Sequence, residues 1–163
     1  MTLSEVLKNA NNSNSFFDYV QGMPENGFRH TEELIDELSV AQDTRNAWLL
    51  EDLLSIAMRD GVDVRFTDVL TRLIKAKWHD RQEDIVWLFE KIRDPASVEI
   101  IYEMAINIPG NDDGRGLAQK CIWVLGAINS KEAIEKLELL HNMNDPIIKE
   151  KARMELNAPK KGR

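Results

Sequence analysis

The chain has 163 residues, of which 43% are hydrophobic and 30% are charged, so one domain with a sizeable core is expected. It contains 21 Lys and Arg against 28 Asp and Glu, which gives a net charge of −7 at pH 7. This balance disfavours binding to duplex DNA or to an anionic membrane, because cations supply most of the affinity for phosphate groups.

The single Cys121 excludes an internal disulfide and a zinc site built from cysteines, and it suits a reducing compartment. The N-terminal residues lack the pattern of a signal peptide, and no stretch approaches the length of an uncharged membrane-spanning helix. We therefore expect a cytoplasmic protein that binds neither nucleic acid nor membrane.

The negative charge lies in the N-terminal part of the chain. Residues 1–68 contain 13 Asp and Glu against 5 Lys and Arg, a net charge of −8, whereas residues 69–163 carry +1. A field of one sign raises the rate of encounter with a basic partner. A solvated acidic face that only keeps the domain soluble explains the same distribution, so both interpretations stay open.

Residues 1–30 are the least regular part of the sequence, and we expect them to form an N-terminal cap of the same domain. Thr2 and Glu5 match the capping-box pattern, so a short helix is predicted to begin there and to end in the Asn- and Ser-rich run 9–15. The aromatic cluster 16–20 is predicted to cover the end of a core, and residues 22–27 to form a loop.

Apolar residues recur at helical spacing from Thr31 onward, which predicts helices over residues 31–157 and a flexible tail at 158–163. The third of these helices is expected to run from about Phe66 to about Trp78. Side chains that precede several helices are predicted N-caps: Thr31, Thr44, Asp94 before Pro95, Ser130, and Asp145 before Pro146. No alternating run of four or more residues indicates a strand, so the predicted fold class is all-α.

An internal repeat relates the segment 83–104 to the segment that lies 36 residues further along the chain. Both apolar positions and N-caps coincide in the two copies. The aligned pairs include Trp87 and Trp123, Phe89 and Leu125, Asp94 and Ser130, and Ile101 and Leu137. A period of this length with two helices per unit is typical of an α-solenoid, in which each helix pair buries its apolar faces against its neighbours.

The stretch 117–137 resembles HEAT repeats, in particular the short type first noted in phycobilin lyases. The resemblance rests on Leu125-Gly126 at the end of one helix, Ala133 and Leu137 in the next, and Asp145-Pro146 where another unit begins. It is good over residues 117–156 and fair over 80–108. It implies an α-solenoid of about four HEAT-like helical hairpins within residues 31–157.

The segment 78–87 is similar to part of small stand-alone bacterial HEAT-like proteins, several of which are suspected immunity proteins paired with secreted toxins. This similarity implies an immunity protein that neutralises a basic toxin, for example a nuclease, by covering its active site. Acidic side chains would then take the place of substrate phosphates.

Carboxylates of the N-terminal part form the candidate partner-binding surface, with two tryptophans as candidate anchors because Trp is frequent at the energetic centres of interfaces. The acidic members are Glu32, Glu33, Asp36, Glu37, Asp43, Glu51 and Asp52, and the tryptophans are Trp48 and Trp78. Both tryptophans are expected to be partly exposed. Trp87 and Trp123 are instead expected to be buried between repeats.

A second polar cluster, formed by His79, Asp80, Glu83 and Asp84, lies beside Trp78. A metal site is disfavoured because no third ligand is near in the sequence. The cluster fits the start of a helix, with Asp80 as N-cap and Glu83 and Asp84 near the positive end of the helix dipole. A patch that contacts a partner is the other interpretation, and His79, Glu83 and Asp84 are candidates for it.

Motifs that carry chemistry are sparse. There is no nucleophile elbow, phosphate-binding glycine loop or zinc-protease motif, and Cys121 lies on the inward stripe of a predicted helix. The run 111–114 lacks the ligand pattern of a calcium loop and is expected to connect two helices. No catalytic residue, metal or cofactor is therefore assigned.

The function predicted from the sequence is a non-enzymatic protein–protein binding module whose partner is another protein of basic character, in the sharpest version a cognate toxin. The alternatives are a bilin-lyase-like enzyme or enzyme subunit, and a general scaffold or adaptor. A HEAT-like DNA glycosylase is disfavoured because the acidic part argues against a basic concave face. The expected oligomeric state is a monomer or a weak dimer.

Overall fold

The computed structural model describes residues 1–107 and 115–160. Within these residues the chain forms helices joined by turns and short 3-10 segments, and it contains no strand. The α-helices are α1 Leu3–Asn11, α2 Phe16–Gln21, α3 Thr31–Thr44, α4 Ala47–Asp60, α5 Thr67–Lys75, α6 Gln82–Ile92, α7 Val98–Ile106, α8 Gly116–Ile128, α9 Lys131–His141 and α10 Pro146–Asn157. The predicted all-α fold class is confirmed.

The chain divides into two compact units, which are residues 1–88 and residues 89–163. The expected loop at 111–114 and the last three residues of the expected tail, 161–163, lie outside the described residues.

Residues 1–30 form two helices in the first unit. The predicted capping box is present at α1, where the Thr2 hydroxyl accepts from the amide of Glu5 and the Glu5 carboxylate accepts from the amide of Thr2 at 2.7 Å. The aromatic cluster 16–20 covers less of the core than expected. Within it only Val20 is buried, and Phe17 is 65% exposed.

The N-caps predicted for α3 and α4, Thr31 and Thr44, are both wrong. Thr31 is the first residue of α3, and its buried hydroxyl has no hydrogen-bond partner. Thr44 is the last residue of α3, and its hydroxyl donates back to the carbonyl of Val40. Arg45 takes the left-handed conformation with φ 51°, so the chain reverses within two residues and Asn46 caps α4 by accepting from an amide one turn on.

The segment 26–30 is fixed against the C-terminal end of α4. Asn26 and Phe28 donate their amides to the carbonyls of Arg59 and Asp60 at 2.9 and 2.8 Å. Gly61 follows with φ 102°, a conformation that favours glycine. A Cβ at this position would also lie too close to the Phe28 ring. This arrangement positions His30 at the start of α3.

Helix α5 ends earlier than predicted. Its last residue is Lys75, and Ala76 is extended with ψ 143°. Trp78 therefore lies in the connection to α6, outside the helix in which the sequence analysis placed it.

The connections that follow α6 and α8 repeat one backbone geometry. Arg93 and Asn129, which are 36 residues apart, both take the left-handed conformation, with φ 53° and 52°. The next residue in each case, Asp94 and Ser130, caps the following helix as predicted. In the first unit Arg45 and Asn46 form the same kind of turn.

The aligned tryptophans of the repeat are not buried. Trp87 is 38% exposed and Trp123 is 37% exposed, so the expectation that both are buried is wrong. Their immediate neighbours on each side are buried. Because successive helix residues are turned by about 100°, a residue between two core positions can still point to the helix flank.

Candidate functional site

The acidic residues of α3 lie on the side of the helix opposite its core. Leu34, Leu38 and Ala41 are fully buried, and α3 contains five Asp and Glu but no Lys or Arg. Of the carboxylates, Glu37 is half-buried and the others are exposed: Glu32, Glu33, Asp36 and Asp43. The helical periodicity that builds the core therefore also gathers the charge on one face.

Glu33 is held by contacts within the first unit. Its Oε2 accepts from the amide of Leu3 at 2.8 Å, and its Oε1 lies 3.3 Å from Nδ1 of His30. The hydrogen bond from Leu3 holds the pKa of Glu33 below its usual value. The carboxylate borders a groove of about 240 Å³ that α1 and α3 form together, with Asp36 and Glu37 further along its wall.

Glu32 is paired with an arginine. Arg65 contacts Glu32 at 2.8 Å and Asp63 at 2.6 Å. The guanidinium is shared by the two carboxylates, so it reduces their negative charge without cancelling it, and Glu32 already has a cation of this chain beside it.

Asp36, Glu37 and Asp43 form no ion pair with the residues that the structure describes. Val40 lies among them and is 44% exposed. We name these four residues the open acidic face. Residues 36, 40 and 43 follow helical spacing and so share one side of α3.

Trp48 is the most exposed large side chain of α4, at 82%. Glu51 and Asp52 lie one turn further along the same helix. Burial raises the pKa of Asp52, and a hydrogen bond with the side chain of Asn11 opposes that rise. The expected partial exposure of Trp48 is confirmed.

Arg81 joins several predicted acidic residues. Its guanidinium contacts Glu51 at 2.6 Å, Asp80 at 3.6 Å and Asp84 at 3.9 Å. Glu51 and Asp84 therefore lie close together in the structure. The group between them is the guanidinium of Arg81, so they do not form an empty site for a cationic ligand. Glu83 is exposed on the first turn of α6.

Both ring nitrogens of His79 are used in the connection between α5 and α6. Nδ1 accepts from the amide of Arg81 at 3.0 Å, so Nε2 carries the proton and donates to the carbonyl of Leu73 at 2.8 Å. Burial lowers the pKa of His79. The ring is a neutral structural link and leaves no lone pair for a metal ion.

Trp78 is half-buried and packs edge-to-face on His79, with ring centroids 4.7 Å apart. Its indole N–H is buried and has no hydrogen-bond partner. Asp80 does not cap α6 as predicted, because the helix begins at Gln82 and Arg81 is the residue directly before it. The residue that directly precedes α6 is thus Arg81, which contacts Glu51, Asp80 and Asp84.

Cys121 is buried in α8, and burial raises the pKa of its thiol to about 12. Such a thiol is almost wholly protonated at neutral pH and is a poor nucleophile. Among residues 1–107 and 115–160, no three His, Cys, Asp or Glu side chains are grouped as metal ligands would be. Every helix in the described part of the chain is too short or too polar to cross a membrane.

Two arginines that pair with part of the acidic surface were not predicted from the sequence. Arg65 lies 33 residues from Glu32, and Arg81 lies 30 residues from Glu51. The local contact between Asp63 and Arg65 was visible in their spacing of two residues. The distant contacts depend on how helices pack, which single-sequence spacing does not encode.

Comparison with known proteins gave no match to a protein-family model, to a curated protein or to a solved structure. The HEAT-like resemblance of residues 117–156 therefore stays a prediction.

Proposed function

We propose that this chain is a non-enzymatic binding module whose partner is a basic protein, and that the open acidic face with Trp48 forms its docking surface. The observation that carries the proposal is the contrast within α3: Glu32 and Glu33 are occupied, whereas Asp36, Glu37 and Asp43 have no cation of the described chain beside them. Carboxylates of this kind are available to partner Lys and Arg side chains.

Trp48 supports the proposal independently of charge. In the isolated chain 82% of the Trp48 side chain is exposed to water, so burial of the indole by a partner would be favourable. Tryptophan side chains supply a large share of the binding energy of many interfaces. Val40 adds a small apolar surface between the carboxylates. The combination of an aromatic anchor and open negative charge fits a basic protein surface better than it fits a small inorganic cation.

We further propose that the hairpins are units of a short HEAT-like α-solenoid, of about four hairpins as the sequence indicates. The repeated left-handed residue and N-cap at Arg93–Asp94 and Asn129–Ser130 support equivalent units. The sharper function is that of an immunity protein that covers the active site of a basic toxin, in which the acidic side chains replace phosphates.

The test is to express the chain together with the product of the neighbouring open reading frame. A stable complex and rescue of growth are the expected results. A complex without growth inhibition by the partner would contradict the immunity function but keep the binding module. If the purified partner forms no complex, both the immunity function and the binding function are contradicted for that partner.

Matched variants locate the surface. The triple variant Asp36→Asn/Glu37→Gln/Asp43→Asn is expected to weaken the complex by about tenfold to a hundredfold, mainly through slower association, and to reduce its salt dependence. The control is Glu132→Gln/Glu135→Gln/Glu138→Gln, which removes the same charge from exposed positions of α9. Equal effects of the two triple variants would show that net charge, and not the open acidic face, drives binding.

Trp48→Ala is expected to raise the dissociation rate by about tenfold or more, because an aromatic anchor acts after encounter. Phe17→Ala removes another exposed aromatic side chain of the first unit and is the control. If both substitutions leave dissociation unchanged, Trp48 lies outside the interface.

A further inference from the structure

A cavity of about 520 Å³ lies in the first unit, between the N-terminal helices and the start of α3. Its walls combine apolar and titratable side chains, which is the usual composition of a ligand site. The lining residues used below are Asp18, Tyr19, Met23, Arg29, His30 and Asp60.

His30 lines this cavity although it is only 5% exposed. Its Nδ1 lies 3.3 Å from the Glu33 carboxylate, which can only accept, so Nδ1 carries the ring proton. The amide of Leu3 fixes that carboxylate at 2.8 Å and favours its ionised form. In the neutral ring Nε2 is therefore a hydrogen-bond acceptor, and it has no partner among the described residues.

Asp60 supplies a second acceptor on the cavity wall. It is 1% exposed, and its two oxygens accept the amides of Arg29 and His30 at 3.0 and 2.9 Å. Each carboxylate oxygen has a second lone pair. These two amides are the donors that an anion would need at this end of α3, so the carboxylate already occupies the place of an anionic ligand.

Side-chain chemistry and shape favour a cation on an apolar stem. The cavity is lined by the carboxylates of Asp18 and Asp60, by the guanidinium of Arg29, which is exposed, and by Met1, which carries the terminal ammonium. The preference for a cation therefore depends on the hydrogen-bond acceptors and the aromatic ring, and not on net charge. Tyr19 offers an aromatic ring and Met23 an apolar wall. A ring face and nearby carboxylates stabilise a cation that has been partly desolvated.

We propose that this cavity binds a guanidinium or alkylammonium group, with Nε2 of His30 and the carboxylates of Asp18 and Asp60 as its acceptors. Glu33 is a positioning residue that sets the tautomer of His30. The group belongs either to a free amine or to a basic side chain of a bound protein. The second source alone rests on the function proposed above.

The experiment follows the imidazole carbon-bound protons of the full chain by NMR during titration with N-acetyl-L-arginine amide. We expect saturable shifts at His30 that are absent from His79 and His141. N-acetyl-L-citrulline amide has nearly the same shape without the charge and is expected to bind about tenfold more weakly. Equal binding of the two probes, unsaturable shifts, or equal shifts at all three histidines would overturn the proposal.

Two exposed carboxylates provide matched variants that avoid the buried groups. Asp18→Asn is expected to weaken arginine-amide binding by about threefold to tenfold, whereas Asp43→Asn, which alters the open acidic face, is expected to leave it unchanged. An Asp18→Asn affinity equal to that of the unaltered chain would contradict the assignment. Because the Asp43 substitution tests the docking surface and the Asp18 substitution tests the cavity, failure of one proposal is separable from failure of the other.

Agmatine and the peptide acetyl-Ala-Arg-Ala-amide distinguish the two sources. Binding of agmatine alone favours a free amine, since the peptide backbone is then excluded. Comparable binding of the peptide favours a side chain of a partner protein. Binding of neither probe overturns the proposal.

Discussion

The two units differ in how they use their carboxylates. Residues 1–88 contain 16 Asp and Glu against 9 Lys and Arg, whereas residues 89–163 contain 12 of each. In the second unit many of the acids lie beside a base: Glu90 beside Arg93, Glu99 beside Lys136, Asp145 beside Arg115, Glu150 beside Arg153, and Glu155 beside Lys151. In the first unit, Arg59, Arg65 and Arg81 neutralise only some of the acids.

The difference shows that net charge is a poor guide to a binding surface until pairing is known. Glu32 and Glu51 counted equally with Asp36 in the sequence, yet each has an arginine beside it. Asp60 is different again, because it is buried and holds backbone amides. The surface available to a partner is therefore smaller than the charge of the first unit suggests.

The largest expected effect is that of Asp60→Ala. The substitution leaves the buried amides of Arg29 and His30 without their acceptors and releases the segment that Asp60 holds, so the free energy of unfolding should fall by about 3 kcal/mol. Urea denaturation followed by circular dichroism measures it. Asp43→Ala, on the open acidic face, should change it by less than about 0.5 kcal/mol, and a similar loss in both would break the distinction between buried and open acids.

Asp145→Ala in the second unit should cost about 1 to 2 kcal/mol, because Asp145 caps α10 and pairs with Arg115 at 2.8 Å. The amide of Ile148 and then Arg115 hold the pKa of Asp145 below its usual value. The stabilisation is therefore present above the unfolded pKa of about 3.9 and is lost as pH falls through the lower folded value. Urea midpoints of the two proteins should differ most at pH 7 and approach each other as the pH is lowered below the unfolded value of about 3.9, whereas a constant difference would contradict the linkage.

Arg93→Gly should lower the free energy of unfolding by about 1 to 2 kcal/mol. Glycine relieves the left-handed backbone at this turn, but the substitution removes the guanidinium 2.7 Å from the buried carboxylate of Glu90. The double variant Arg93→Gly/Glu90→Gln should recover part of the loss in the same denaturation assay. No recovery would mean that the loss of the contact between Arg93 and Glu90 does not carry the effect.

The smallest expected effect concerns the equivalent turns. Arg45→Gly and Asn129→Gly should each leave stability unchanged or raise it by about 0.5 kcal/mol, since both residues have positive φ and glycine adopts it without strain. Melting temperatures measured side by side would check this. A clear loss at one turn only would show that the hairpins of the two units are not equivalent there.

Local features of the fold were predictable from sequence. The capping box of Thr2 and Glu5, and the caps Asp94, Ser130 and Asp145, all depend on hydrogen bonds to amides two or three residues away. Such contacts are encoded in short motifs. The repeat of 36 residues likewise predicted the equivalence of the turns that follow α6 and α8.

Features that depend on distant packing were not predictable in the same way. The left-handed Arg45 moved the cap from Thr44 to Asn46, and both residue types are common N-caps, so composition alone did not decide between them. The contact between Asp60 and His30 links residues 30 positions apart. The sequence placed five of the candidate acidic residues on one predicted helix, and their assignment to a partner-binding surface stays a prediction, while the arginines beside Glu32 and Glu51 became known only from the structure.

The exposure of Trp48, one turn before Asp52 on α4, has a spectroscopic consequence. An anionic quencher such as iodide is repelled by a neighbouring carboxylate, whereas caesium is attracted to it. The fluorescence lost in Trp48→Phe should therefore be the component with a higher ratio of caesium quenching to iodide quenching than the fluorescence that remains. Occupation of the surface by a basic protein would shield this indole from both ions and thus provide an optical signal that requires no attached label.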